Sequence, residues 1–217
     1  MNSPKKNLEN FNCELIEVCR KFDRNPAEIH LIAVTKNRSA SEANELIKAG
    51  VEKIGENRLQ EATEKFPNLE KCEKHFIGNI QSNKAREIAQ LFDCVESVSS
   101  VKVARILDTE AQAIGKILPI FLQVNLAKES QKNGFLEKNL AEAVTEIREL
   151  PNLKIEGLMV MGIFGDVEKT REVFSCGKKL CEKFGFKNFS AGMSDDWKIA
   201  VKEGTDFLRI GRRLFKC

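Results

Sequence analysis

Residues 30–37 read "HLIAVTKN". Leu31, Ile32, Ala33 and Val34 form a short apolar run, rich in branched side chains, that stops at Thr35 and Lys36. A run of this length, bounded by polar residues, reads as a strand buried on both faces. Lys36 then stands at the carboxyl end of that strand. Alone, it reads most simply as the point where the chain reaches water, because lysine is seldom fully buried. The sharper reading is a nucleophilic amine held in a pocket, and the rest of the sequence has to decide between the two.

Working outward, comparable strand-like runs recur at 53–55, 74–78, 93–96, 118–125, 153–159, 187–190 and 206–210. Between them lie segments with charges at helical spacing: 41–49, 58–66, 82–91, 100–114, 137–149, 167–184 and 195–203, after an amphipathic opening helix over about 5–22. Ser41 ahead of "EANELIKAG", with Gly50 at its end, and Asp166 ahead of "VEKTREVF" read as helix boundaries. Strands that alternate with helices argue for a parallel sheet, and eight is the barrel number. The expectation is an α/β chain, one (β/α)8 TIM barrel with an extra N-terminal helix, spanning 1–217 as a single domain. A doubly wound open sheet is the alternative.

Composition narrows the function classes. With 217 residues and 42% hydrophobic content the chain can bury one sizeable core. Lys+Arg 35 against Asp+Glu 32 leaves +3, with both signs mixed along the chain, which argues against nucleic acid as the main partner. Apolar runs such as "ILPIFLQV" are too short to span a bilayer, and the polar opening "MNSPKKNLENFNCEL" has no apolar signal core, so a soluble cytoplasmic protein without a membrane partner is expected. Seven cysteines, at 13, 19, 72, 94, 176, 181 and 217, form no Cys-x-x-Cys pair, and with two histidines a zinc cluster is improbable. Tyrosine is absent, which removes phenolic acid–base chemistry.

In a barrel of this kind chemistry gathers at the carboxyl ends of the strands. Those ends carry Thr35-Lys36, Glu56-Asn57, His75 in "HFIGNIQSNK", Glu96-Ser97, Asn125, the 159–161 stretch, "SAGMSDD" (190–196) and "RIGRR" (209–213). Loops after strands seven and eight commonly build a phosphate site. Ser194 offers a hydroxyl there, Gly211 a backbone that an anion can approach, and Arg209 and Arg212 positive charge. Strand eight of a closed barrel lies beside strand one, so such a phosphate would sit near Lys36. A phosphate anchor next to a lysine amine suits pyridoxal 5'-phosphate (PLP). The amine must be neutral to attack, and partial burial beside Arg209 and Arg212 would favour that form. Structural alternatives stand beside each residue: Ser194-Asp195-Asp196 as a helix cap, Arg209 in an ion pair, His75 as a core histidine, Asn57 closing a turn, "ESQKNG" as a polar loop. "GVEKIGEN" lacks the Lys-Ser/Thr of an ATP loop, and neither Gly-x-Gly-x-x-Gly nor Gly-x-Ser-x-Gly occurs in a telling place.

Six blocks, "LIAVTKN", "GVEKIGENRLQEA", "HFIGNIQSNK", "VNLAKESQKNG", "KIEGLMVM" and "SAGMSDDWKIAVKEGTDFLRIG", occur in that order from about Leu31 to Phe215. Together they resemble the pyridoxal phosphate homeostasis proteins, relatives of the alanine racemase barrel. The resemblance implies that Lys36 carries PLP as a Schiff base, that Ser194 with the backbone of Gly211 and Arg212 holds its phosphate, and that Arg209 faces the pyridine nitrogen. Asn57, His75 and Met193 would line the same mouth. It further implies a carrier or buffer of PLP and related B6 vitamers that passes the cofactor to PLP-dependent apoenzymes, without robust turnover of its own. After "RIG" the family often has a small hydroxyl residue where this chain has Arg212. A PLP-dependent racemase or lyase acting on a small amino acid is the second reading, and a barrel for another phosphorylated ligand the third.

Overall fold

The computed structural model describes residues 3–127, 129 and 133–215. Lys128 and 130–132 of the polar loop, and Cys217, lie outside the described residues. Strands β1 (His30–Val34), β2 (Lys53–Glu56), β3 (Glu73–Phe76), β4 (Cys94–Val98), β5 (Leu118–Val124), β6 (Leu153–Val160), β7 (Asn188–Ser190) and β8 (Phe207–Ile210) close into a barrel in chain order. Every neighbouring pair is parallel. The barrel expectation is met and the open sheet is excluded: β8 pairs with β1 in the register His30↔Phe207, Leu31↔Leu208, Ile32↔Arg209, Ala33↔Ile210. Among the described residues no helix is long and apolar enough to cross a membrane.

The connecting helices are α2 (Ala40–Lys48), α3 (Leu59–Lys65), α4 (Ala85–Leu91), α5 (Val101–Ala113), α6 (Glu137–Arg148), α7 (Val167–Phe184) and α8 (Trp197–Lys202). The opening helix α1 (Pro4–Lys21) starts with Ser3 accepting from the Lys6 amide and with Pro4 in its first turn. Its buried residues Leu8, Phe11, Leu15 and Cys19 recur at helical spacing and form the apolar stripe that α1 buries against the outer helices, α2 and α8 among them. Phe11 meets the fully buried Trp197 with ring centroids 5.0 Å apart, which seats α1 on α8. The main core lies between the strands and the helices. A smaller cluster of Ile32, Cys94, Phe121, Met159 and Phe207 fills part of the barrel itself.

Several helix boundaries and one short helix differ from the sequence expectation. Helix α2 is capped by Ser39, not Ser41: the Ser39 hydroxyl accepts from the Glu42 amide and the Glu42 carboxylate accepts from the Ser39 amide, a reciprocal box. Residues 82–84 form a 3-10 turn ahead of α4 rather than its first turn. A four-residue helix, α9 (Arg212–Phe215), follows β8 where the sequence predicts a loop. Asp166 does cap α7, and Gly185, at φ 70°, ends it in the left-handed conformation that favours glycine.

The capping box is directly testable. Ser39→Ala is expected to lower unfolding stability by about 1 kcal/mol in urea titration, while Ser41→Ala on the exposed face changes it by less than about 0.5 kcal/mol. Equal effects of the two substitutions would contradict the Ser39 assignment.

Candidate functional site

The chain leaves β1 through a hydrogen-bonded turn. The Arg38 amide donates to Thr35 O at 3.0 Å, with Lys36 and Asn37 as the two central residues. Asn37 has φ 57°, a left-handed conformation that costs most side chains about 1–2 kcal/mol and that asparagine tolerates best after glycine. Lys36 is exposed, so the partial burial expected of it is not what the structure has.

Across the mouth, the loops after β7 and β8 come together. Gly192 has φ 96°, and a Cβ there would lie 2.6 Å from Ala200 Cβ and 2.8 Å from Leu208 Cδ2, so only glycine fits. A Cβ on Gly211 would stand 3.3 Å from both Val34 Cβ and Val34 O, which puts the β8 exit directly against the end of β1. The Met193 amide donates to Asp196 Oδ1, and the amides of Asp196 and Trp197 both donate to Met193 O. Among the described hydrogen bonds, the amides of Ser194, Asp195 and Gly211 have no acceptor. Ser194 caps no helix; α8 begins at Trp197. Met193 is 39% exposed on the rim. Arg212 turns its guanidinium to Asp195, an exposed ion pair that ties the two loops together.

Among the described residues, three buried polar atoms near the carboxyl ends of β2 and β4 have no partner: Glu56 Oε2, Asn57 Oδ1 and Ser97 Oγ. The backbone of Asn57 is pressed by Gly78, where a Cβ would lie 2.0 Å from Asn57 O. Gly78 thus lets the segment after β3 close against the segment after β2.

Inside the barrel runs a charged chain. The guanidinium of Arg209, 4% exposed, donates through Nη1 to Ser190 Oγ at 2.6 Å and through Nη2 to Val160 O at 3.0 Å. The Ser190 hydroxyl donates to Glu96 Oε2 at 2.6 Å, and His75 Nδ1 meets Glu96 Oε1 at 2.7 Å. His75 Nε2 meets Glu73 Oε1 at 2.9 Å, and Glu73 pairs with Lys53. Burial alone would push His75 down, but the Cys94 thiol and the Glu73 and Glu96 carboxylates outweigh it and raise it well above the ordinary 6.5. A carboxylate oxygen faces each ring nitrogen, an arrangement that favours the doubly protonated, cationic ring. Burial also opposes the charge on Glu96, yet His75, Arg209 and the Ser190 hydroxyl hold its carboxyl below the usual range. Arg209 is drawn down by burial, with Glu96 and Asp196 opposing that shift. Burial likewise raises the thiols of Cys19, Cys72 and Cys94, and carries Cys181 to about 12.

The structure thus gathers Lys36, Asn57, Met193, Ser194, Gly211 and Arg212 at the carboxyl ends of β1, β2, β7 and β8. His75 is the exception: at 1% exposure, with both nitrogens engaged, it belongs to the barrel interior and not to the mouth. Arg209 is likewise interior. The sequence assigns Glu96 and Ser190 no role among the polar strand ends; the charge in the middle of the fully buried strand "CVESV" is the available signal.

The profile of "Alanine racemase, N-terminal domain" matches residues 17–217. A pyridoxal phosphate homeostasis protein of Pseudomonas aeruginosa is 35% identical over 225 residues, covering 99% of this chain and 96% of the relative. PipY of Synechococcus elongatus, solved with PLP bound, superposes with a TM-score of 0.83 at 32% identity, covering 94% of this chain and 99% of PipY. An unknown protein from Bifidobacterium adolescentis superposes at 0.92 with 28% identity, covering 98% of this chain and 94% of that one. The chain belongs to the alanine racemase N-terminal domain family, and within it to the pyridoxal phosphate homeostasis proteins.

The interior chain leaves a pH signature. His75 is raised in the folded state, so its stabilisation is complete below about pH 6.5 and is lost as pH rises through the raised value. Glu73 is lowered from 4.5 to about 2, by His75 first and then Lys53, so its share is complete above 4.5 and lost toward 2, and partial exposure screens it. The gap in urea midpoint between wild type and His75→Gln is therefore expected to be widest between pH 5 and 6.5 and to narrow at alkaline pH. A gap that stays constant up to pH 10 would mean that His75 is not held as a cation.

Proposed function

We propose that this chain binds PLP covalently through Lys36 and serves as its intracellular reserve, limiting free aldehyde and passing the cofactor to dependent apoenzymes in the cytoplasm. The observation that carries the reading is the joining of three elements at one mouth: an exposed lysine on a fixed turn, unused amides at Ser194, Asp195 and Gly211, and an orphaned acceptor at Asn57. Bound PLP supplies an aldehyde that condenses with an amine, releasing water, and a phosphate that needs fixed donors. The residues present fit such a group.

Lys36 provides the amine. The amides of Ser194 and Gly211, the Ser194 hydroxyl and the backbone of Arg212 receive the phosphate, since consecutive free amides form an anion-binding concavity. The side chain of Arg212 is already balanced by Asp195, so it neutralises a carboxylate that would otherwise repel the anion. Asn57 and Met193 line the mouth. Arg209 is a fixed buried cation, and in facing a pyridine nitrogen it disfavours a second positive charge there. His75 acts at a remove, holding Glu96 and through it Ser190 and Arg209. Related B6 vitamers that keep the phosphate fit the same donors. The chemistry of a racemase or lyase would need a free acid–base group, and His75 has neither nitrogen to spare.

Addition of PLP is expected to give a visible absorption band that borohydride fixes as a single label on the Lys36 peptide, absent from Lys36→Ala. A label scattered over surface lysines and unchanged in Lys36→Ala would overturn the covalent reading.

A further inference from the structure

Helix α3 reaches over to the lysine turn with charged side chains. Lys65, 7% exposed, donates from Nζ to Thr35 O at 2.7 Å and pairs with Glu56 Oε1, which also accepts the Thr35 hydroxyl. Four residues earlier on the same helix face, Glu61 Oε2 accepts from the Asn37 amide at 2.8 Å. Arg58, just ahead of the helix, donates to the other oxygen of Glu61 at 2.9 Å. The two residues flanking Lys36 are therefore both gripped from α3, one at a carbonyl and the other at an amide, while Lys36 itself is held by neither.

This grip is not explained by stability alone. Glu56 is fully buried with Oε2 unpartnered, and a buried ion pair with an orphaned oxygen is commonly no better than an apolar pair of similar size. What the contacts do fix is direction. They lock the Thr35–Arg38 turn, and with it the starting point of a long flexible side chain.

We propose that Glu61 and Lys65 are positioning residues that present the Lys36 amine to the aldehyde, with Glu56 holding Lys65 in place. The inference rests on Lys36 being the attachment point. Glu61 is the cleaner of the two to change, because it is peripheral, and Gln can still accept the Asn37 amide. Misplacing a reacting group by about 1 Å can cost up to about a hundredfold in rate.

The test uses the full chain and three readouts. These are hydrogen exchange at the Asn37 amide without ligand, the rate of borohydride-trapped labelling of Lys36 by PLP, and affinity for pyridoxine 5'-phosphate, which has the phosphate but no aldehyde. Glu61→Ala is expected to speed exchange at Asn37 and to slow labelling about ten- to a hundredfold, with pyridoxine 5'-phosphate affinity and thermal midpoint unchanged. Glu61→Gln is expected to restore most of the rate. The paired change Glu56→Gln with Lys65→Met, which leaves no lone buried charge, is expected to slow labelling in the same way. Wild-type labelling in Glu61→Ala, alongside none in Lys36→Ala, overturns the inference and leaves the Lys36 reading intact. A parallel loss of labelling, phosphate-ester affinity and thermal midpoint also overturns it, as a purely structural role. Undiminished labelling in Lys36→Ala would instead remove the reading beneath it.

Discussion

Strand β8 meets strand β1 in a parallel register of four residue pairs, and that seam places the parts of the mouth relative to one another. It sets Gly211 against Val34, two residues short of Lys36, so a backbone that can receive an anion and a side chain that carries an amine become neighbours. The same register puts Arg209 beside Ile32 and so inside the barrel. Side chains alternate across a strand with period two, so a slip of one residue would send Arg209 into the helix layer. Glu96 and Ser190 would then face each other with no guanidinium between them and the Val160 carbonyl. Closure therefore fixes the outer donors and the inner charge in a single step.

The barrel interior is divided. Ile32, Cys94, Phe121, Met159 and Phe207 fill one part as an ordinary apolar cluster, and a line of alternating charges from Lys53 to Arg209 fills another. A buried network of this kind is costly when incomplete and rigid when complete. Here the ring nitrogens of His75 and both oxygens of Glu96 are engaged, so the line behaves as one unit. Its far end is the guanidinium under the mouth, which makes residues near the barrel floor part of the electrostatics of a site they do not touch.

The strands were legible because short runs with apolar residues, such as "LIAV" in β1 and "LPIFLQV" in β5, alternate with segments at helical spacing, even though β2, β3, β4, β6 and β8 also carry charged residues. Helix α2 shows where a local rule was available and passed over. Ser39 stands three residues before Glu42, the spacing of the capping box, whereas Ser41 has no such partner. Helix α9 spans four residues, barely one helical turn, too short for an apolar residue to recur on the same face more than once. The interior line could not be read at all from local sequence. Apart from the Glu73–His75 link within β3, its links from His75 to Arg209 join residues 21, 94 and 19 apart along the chain, and only the folded barrel brings them within hydrogen-bond reach. Lys65 was hidden differently: within "LQEATEK" it looks like one more solvated helix charge, and its burial goes with its pairing to Glu56 of β2 and its bond to the Thr35 carbonyl.

The thiols carry a quieter consequence. Cys19, Cys72, Cys94 and Cys181 are all held in the protonated form by burial. Sulfur attacks carbonyl carbon as thiolate, so these four are poor traps for an electrophile. A thiolate near the mouth would compete with an amine for an aldehyde. The packing that buries these four thiols also lowers their reactivity, so core composition bears on chemoselectivity at these positions.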